Sequence, residues 1–326
     1  MDELTSDIEK TAVKQQPAPK PPFRSDLMIW MDGEIVPWEQ ATIHLMSHAL
    51  HYGSSIFEGV RCYKTKQGSA IFRLDEHVER LFDSARIYQM EPNIEPAQFT
   101  QAMIDIVRAN GFKACYLRPL VYRGLGTAGV NPTGSPVCTA IVCWDWGQYL
   151  GDHSVENGVD TCVSSWSRMA PNTFPAMAKA AAHYMNSQLI KLEAVRNGFT
   201  EGIALDTRGY VSEGSGENIF LVRHGVVRTP PLTASVLPGI TRECVMTLLR
   251  DEGIEIREED IPREALYVAE EAFFTGTATE IVPIRSIDRV AVGDGEVGPV
   301  TRRLQELYLG IARGEIEDRH GWLTPV

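Results

Sequence analysis

The sequence predicts two domains of α+β type, and three observations carry that reading. At 326 residues the chain is too long for one small core. Strand-like runs gather ahead of interspersed helices, without the strict alternation of a parallel α/β sheet. A polar, glycine-rich stretch at 147–158 separates the two halves. The expected division is a flexible tail at 1–24, a small N-terminal domain at 25–146, an interdomain linker at 147–158 and a larger C-terminal domain at 159–326.

Each element has a local reason. Residues 1–22 are polar, hold four prolines and contain no apolar run, so they read as a tail and not as a signal peptide. Residues 28–31 and 34–36 flank Asp32-Gly33, a hairpin signal. Asp75 is placed to cap a helix with Leu81, Phe82, Ala85 and Tyr88 on one face. A second helix carries Phe99, Met103, Ile106 and Val107 and stops at Gly111. Strand-like runs follow at 114–122 and 137–144. The second half opens with a strand near 159–164 and a helix near 177–197, whose apolar stripe is Ala182, Met185, Leu189 and Leu192. Residues 203–206, 210–213 and 218–223 read as strands, and His224-Gly225 turns the chain into 226–228. Helices are expected near 240–252 and 299–313, and there is no internal repeat.

A net charge of −12 excludes nucleic acid as the main partner, because binding would work against phosphate repulsion. No stretch approaches the roughly 20 apolar residues of a membrane helix. The cysteines at 62, 115, 138, 143, 162 and 244 form no Cys-x-x-Cys pair and lie mostly in apolar runs. They read as buried reduced thiols of a cytoplasmic protein.

Lys179 is the first candidate for chemistry. It sits in Pro-Ala-Met-Ala-Lys-Ala-Ala-Ala-His-Tyr (175–184), with Pro175 at i−4 and His183 at i+4, so no helical ion pair is available. An amine among small apolar neighbours is costly to bury as a cation and readily gives up its proton, which suits a Schiff-base lysine. The competing reading is a helix-start lysine whose stem packs and whose amine reaches water.

Two motifs are decoys. Gly124-Leu-Gly126-Thr-Ala-Gly129 matches the dinucleotide fingerprint, but Val130-Asn-Pro-Thr-Gly-Ser-Pro136 follows it and stops any helix from starting there. A glycine-rich loop near a ligand is the better account, and an NAD-dependent dehydrogenase rests on that match alone. His44, His48 and His51 have a metal-like spacing. They lack an intervening general-base glutamate and a fourth ligand, so packed or hydrogen-bonded histidines are preferred.

The remaining features converge on pyridoxal phosphate, which needs a lysine, a partner for its ring nitrogen and donors for its phosphate. Ser212-Glu213-Gly-Ser-Gly216-Glu217-Asn218 places two acids at a glycine-broken strand end. Leu237-Pro-Gly239-Ile240-Thr241-Arg242 is a turn feeding a helix, whose free N–H groups suit a phosphate. Thr275-Gly276-Thr277-Ala278-Thr279 is a second hydroxyl-rich turn, and Arg61 adds a cation.

With these segments the chain resembles the branched-chain amino acid aminotransferases of the fold type IV pyridoxal phosphate class. The likeness runs from about residue 29 to 322. It is carried in family order by Met46-Ser-His-Ala-Leu-His-Tyr-Gly53, Phe57-Glu-Gly-Val-Arg-Cys-Tyr63, Tyr116-Leu-Arg-Pro119, Ala170-Pro-Asn172, Glu201-Gly-Ile-Ala-Leu-Asp206 and the three turns above. One departure is visible: relatives often have glycines and then Asn-Tyr after the lysine, where this chain has Ala181, Ala182 and His183 before Tyr184.

The resemblance implies a cofactor held between a small and a large domain. It implies Lys179 as the Schiff-base lysine, Glu213 on the pyridine nitrogen and Tyr184 on the ring hydroxyl. Arg61, Ile240, Thr241 and Thr277 would hold the phosphate, with Gly216, Leu237, Gly239 and Gly276 around the cofactor. Substrate would meet Phe57, Tyr116, Arg118, Trp146, Tyr149, Thr277 and Ala278, with Tyr52 and Val130 reaching in from a second subunit. The minimum unit is then a homodimer, with a hexamer as a larger form. The implied activity is ping-pong transamination of leucine, isoleucine and valine with 2-oxoglutarate, giving 2-oxo acids and L-glutamate. D-amino acid and (R)-amine transaminases on the same fold are the alternatives.

Overall fold

The computed structural model describes residues 23–147, 149–151 and 153–326. Residues 1–22 of the expected tail lie outside them, as do 148 and 152 of the expected linker.

Two sheets organise the chain. The first has eight strands, in the order Leu323–Pro325, Gly68–Phe72, Val60–Thr65, Cys115–Arg123, Val137–Trp144, Met28–Met31, Glu34–Pro37, with Ser55–Phe57 also paired to Cys115–Arg123. All its pairings are antiparallel. Alternation drives them: in Val60–Thr65, Val60 and Cys62 are buried while Arg61 and Lys64 are more open. Helices Leu74–Ile87 and Pro96–Asn110 cover this sheet, and Phe99, Met103, Val107 and Leu81 join Leu117 and Ile141 in one apolar cluster.

The second sheet has nine strands, in the order Val211–Gly214, Glu201–Leu205, Val159–Val163, Glu280–Ile287, Glu271–Gly276, Asn218–Arg223, Val226–Thr229, Ile256–Glu258, with Val290–Ala291 on Glu280–Ile287. Helices Ile240–Asp251 and Pro299–Ala312 pack on it through Val245, Leu249, Leu304 and Tyr308. That cluster also takes Tyr63 and Phe72 from the first sheet, so the two layers share apolar surface beside the cleft. The strand Leu323–Pro325 returns from the C-terminal end to pair with Gly68–Phe72, across the expected boundary at the linker. The stretch 147–158 itself holds a short helix, Ser154–Asn157.

Three sequence expectations are corrected. The helix at 74 is not capped by Asp75, which lies in its first turn; the capping position belongs to Arg73, held left-handed at φ 54°. Arg73 is fixed there by Glu76 at 2.6 Å and by Glu243. The helix expected from about 177 begins at Tyr184, after a 3-10 turn at Ala181–His183. The alanine-rich run before it favours helix locally, yet Ala180 bridges to Ile56 and the Lys179 carbonyl accepts from the Phe57 N–H, so tertiary pairing overrides propensity. The apolar stripe of that helix is also reversed: Met185 and Leu192 are 63% and 58% exposed, and Ser187, Ile190 and Ala194 face the core. The helix sits so close to Glu201–Leu205 that a Cβ at Gly202 would lie 2.6 Å from Ile190, which only glycine avoids.

Candidate active site

A cavity of about 250 Å³ opens between elements of the two sheets. Lys179, Tyr184, Glu213, Gly216, Leu237, Gly239, Ile240, Thr241, Gly276 and Thr277 line it, together with Phe57, Tyr116, Arg118, Trp146, Tyr149 and Ala278. Arg61, Tyr52 and Val130 are not in its lining.

Lys179 is pinned from two sides. Its N–H donates to Ser84 Oγ at 3.0 Å, and its carbonyl accepts from Phe57 at 3.1 Å. The side chain is thereby aimed into the cavity, where Nζ donates to the Tyr184 hydroxyl oxygen at 2.7 Å. Tyr184 stands on the first turn of its helix, and its ring packs on Phe57 at 4.8 Å between centroids.

Glu213 ends a buried strand, and its carboxylate receives three donors. Arg168 reaches Oε1 at 2.6 Å, while Asn218 Nδ2 and the Leu237 N–H reach Oε2 at 3.1 Å each. Burial raises its pKa above the usual carboxylate value, and the Arg168 cation and the Leu237 N–H pull it down. With a guanidinium on one oxygen and two N–H donors on the other, the carboxyl is arranged as the anion. Asn218 also binds the Leu237 carbonyl, which ties the acid to the turn before helix Ile240–Asp251. At Gly239 a Cβ would lie 1.9 Å from Asn218 Oδ1, so the turn requires glycine, and the first-turn N–H groups that follow offer an anion seat.

A second arginine, Arg80, which the sequence reading did not name, lies beside that seat. Arg80 lines the cavity, donates to the Pro238 carbonyl at 2.8 Å and forks onto buried Glu58 at 2.6 and 2.8 Å. Burial would raise Glu58, but Arg80 and His77 together hold it well below the usual carboxylate range. Glu58 also meets His77 Nδ1 at 2.8 Å, and His77 Nε2 faces the Thr277 hydroxyl at 3.5 Å. Burial lowers the His77 pKa, so the neutral ring donates to Glu58 and accepts from Thr277. The signal for this cluster was present: His77, Arg80 and Ser84 recur at i, i+3 and i+7, a polar stripe on a buried helix face.

Arg61 does different work. Its Nε donates to the Thr277 carbonyl at 2.8 Å and its Nη2 to the Ala278 carbonyl at 2.6 Å. A trans peptide sets N–H opposite C=O, so Arg61 turns the Ala278 and Thr279 N–H groups away from itself. Arg61 thereby clamps the turn that carries Thr277 and lines the cavity. Arg118 lies 4.7 Å from the Phe57 ring centroid and 5.5 Å from that of Tyr116. Its Nε is buried without a partner among the described residues. Tyr116 and Arg118 share one face of their strand.

Tyr52 and Val130 are 44% and 81% exposed. The Tyr52 hydroxyl donates to the Ala128 carbonyl at 3.2 Å, and His48 holds the Gly129 carbonyl and Ser54, so the glycine-rich loop is fastened to the short helix His48–Tyr52. No helix follows that loop; strand Val137–Trp144 does. The histidines at 44 and 51 bind nearby backbone.

A family model described as amino-transferase class IV matches residues 55–287. The branched-chain-amino-acid aminotransferase of Salmonella typhimurium is 50% identical over 299 residues, covering 91% of this chain and 97% of that one. The crystal structure of the Escherichia coli branched-chain amino acid aminotransferase superposes with a TM-score of 0.90 at 49% identity, covering 91% and 98%. That of the branched-chain amino acid aminotransferase from Thermobaculum terrenum, in its PLP form, does so at 0.86 and 34%, covering 93% and 99%.

Proposed function

The chain belongs to the class IV aminotransferases, and from that premise we propose that its cavity performs reversible amino transfer between branched-chain L-amino acids and 2-oxoglutarate. Pyridoxal 5′-phosphate is the cofactor, and 2-oxo acids and L-glutamate are the products. The observation that carries the reading is one cavity wall holding the Lys179 amine against Tyr184 with an anionic Glu213 beside it.

The residues fit the cofactor. Lys179 Nζ is the only lysine amine in the cavity lining of the described residues. The partnerless buried Thr275 Oγ1 and Arg118 Nε, both of lining residues, are what a ligand site leaves open. Lys179 would hold the cofactor's carbonyl carbon, Tyr184 its ring hydroxyl, Glu213 its ring nitrogen, and Arg80, Ile240, Thr241 and Thr277 its phosphate. Bound pyridoxal phosphate supplies an electron sink for the pair released when the substrate Cα–H bond breaks. Glu213, fixed by Arg168, favours the protonated ring nitrogen that makes the sink effective. Lys179 Nζ would take the substrate Cα proton and give it back to the carbon on the far side of the amino nitrogen. Tyr184 keeps Nζ on that path. Arg118 and the Ala278 and Thr279 N–H groups would bind substrate carboxylates, and Phe57 and Trp146 would wall the side-chain space; their place in the cavity lining supports this.

A homodimer is part of the proposal. Exposed Tyr52 and Val130 support it, as does the uncovered stripe of Met185 and Leu192. An apolar groove between Trp38, Leu50, Leu120 and Trp144 supports it further. The cytoplasm suits the six unpaired thiols. The test is incubation of holoenzyme with L-leucine and 2-oxoglutarate. Formation of L-glutamate at a rate far above that with D-leucine or a simple (R)-amine is expected; the reverse preference would overturn it.

A further inference from the structure

Two fully buried glutamates stand behind the substrate side of the cavity, and their surroundings differ. Glu201 Oε2 accepts from Lys191 Nζ at 2.8 Å and Oε1 from the Gly202 N–H at 2.7 Å, so it is a paired carboxylate. Glu217 lines the cavity and has no cation among its hydrogen-bond partners. Its Oε2 accepts from the Gly216 N–H at 3.0 Å, and its Oε1 meets the Thr279 hydroxyl at 3.3 Å. A buried carboxyl next to an ion-paired carboxylate keeps its proton, since ionising it would place a second anion in a dry site.

We propose that Glu217 sets the balance between the two substrate classes of this pocket: as the neutral acid it tolerates the second carboxylate of a dicarboxylic substrate, and as the anion it repels that carboxylate while leaving aliphatic substrates unaffected. The inference rests on the transaminase reading above, which requires one pocket to take both a branched aliphatic chain and a glutamate chain. The reaction needs no proton from Glu217. What matters is the charge it adds to the wall formed with Tyr149, Gly216 and Thr279.

The groups around it decide where the change occurs. Burial, and then the Glu201 charge, push Glu217 up to about 8, and Lys191 on helix Tyr184–Arg196, the Gly216 N–H and the Thr279 hydroxyl act against them. The Tyr149 hydroxyl is itself pushed up, first by Glu217, and stays protonated through the same range. The Arg118 guanidinium attracts a carboxylate in either state of Glu217. The Arg168–Glu213 pair and Lys179 also line the cavity. Arg118 favours a charged side chain throughout, and Glu217 is the group whose change of charge alters that preference.

The experiment uses glutarate and 4-methylpentanoate, unreactive acids that lack the amino or oxo group, titrated calorimetrically into the holoenzyme between about pH 6.5 and 9.5. Both ligands are fully ionised there. The ratio of the glutarate to the 4-methylpentanoate dissociation constant is expected to rise by about fivefold or more with pH. In Glu217→Gln, neutral at every pH, the ratio should stay flat. In Glu201→Gln, which removes the neighbouring anion, the rise should move to lower pH. A flat ratio in the unaltered protein, or the same rise in Glu217→Gln, overturns this inference and leaves the transaminase reading standing. If neither acid binds, both fall.

Discussion

Lys179 Nζ and the Tyr184 hydroxyl are 2.7 Å apart, and the two residues reach that contact from opposite structural states. Lys179 lies in extended chain bridged to Phe57, and Tyr184 opens a helix. The five-residue interval is spanned by the 3-10 turn Ala181–His183. Tyr184→Phe keeps the ring contact with Phe57 and removes only the hydroxyl. The turnover number should fall by roughly tenfold to a hundredfold, with thermal stability nearly unchanged. Steady-state kinetics beside a melting curve would check this.

Arg168 and Glu213 should separate stability from chemistry. Arg168→Met leaves Glu213 buried without its cation and should cost about 3 kcal/mol in a denaturant titration of the apoprotein. Glu213→Gln removes the charge itself. It should be milder in stability and should lower turnover by at least about a hundredfold. Equal stability losses with unaltered turnover in Glu213→Gln would contradict the assigned role.

The two arginines make a direct contrast. Arg80→Gln removes the cation beside the anion seat at Gly239 and Ile240, and cofactor affinity should weaken by about tenfold or more. Arg61→Ala frees the Thr277 and Ala278 carbonyls and should raise KM for amino donors and oxo acceptors together by about tenfold. Its cofactor affinity should change far less. Equilibrium dialysis of the cofactor with parallel KM measurements separates the two effects.

His183 gives a pH prediction. Burial, and then Arg168, lower its pKa to about 4, and its Nε2 is 2.8 Å from the Tyr88 hydroxyl. The unfolded chain binds a proton there more readily than the folded one. Stability is therefore fully present above about pH 6.5 and is lost as pH falls toward 4. Replacing the ring in His183→Asn should reduce the loss over that window by about 2 kcal/mol. Melting temperatures of the two proteins at both ends of the window provide the measurement.

Much of the fold was legible because periodicity and turn chemistry agree with it. Gly111 closes its helix at φ 65°, and Asp32-Gly33 joins the first two strands. The failures have one cause, contacts between residues far apart in sequence. Propensity around Lys179 favours helix, and only pairing with Ile56 and Phe57 keeps it extended. Both Arg61 and Arg80 look like phosphate cations in a line of text; their partners, the Thr277 carbonyl for Arg61 and Glu58 for Arg80, come from contacts that the line does not show. The exposed stripe of Met185 and Leu192 reads as core from its spacing, since spacing marks an apolar face without saying what covers it. Lys179, Glu213 and the Gly239–Thr241 turn were visible because their residue types are set by chemistry. Arg168 acts by holding Glu213, and Glu58 by holding Arg80 and His77; nothing local marks either of them, whereas His77 is marked only by its place in a polar stripe.

Borohydride reduction of the cofactor-loaded protein, followed by peptide mass analysis, tests the assignment of Lys179 outright. One pyridoxyl-phosphate adduct is expected, on Lys179, and Lys179→Ala should give no adduct and lose transamination. An adduct on another lysine, or a Lys179→Ala protein that still transaminates, would contradict the assignment.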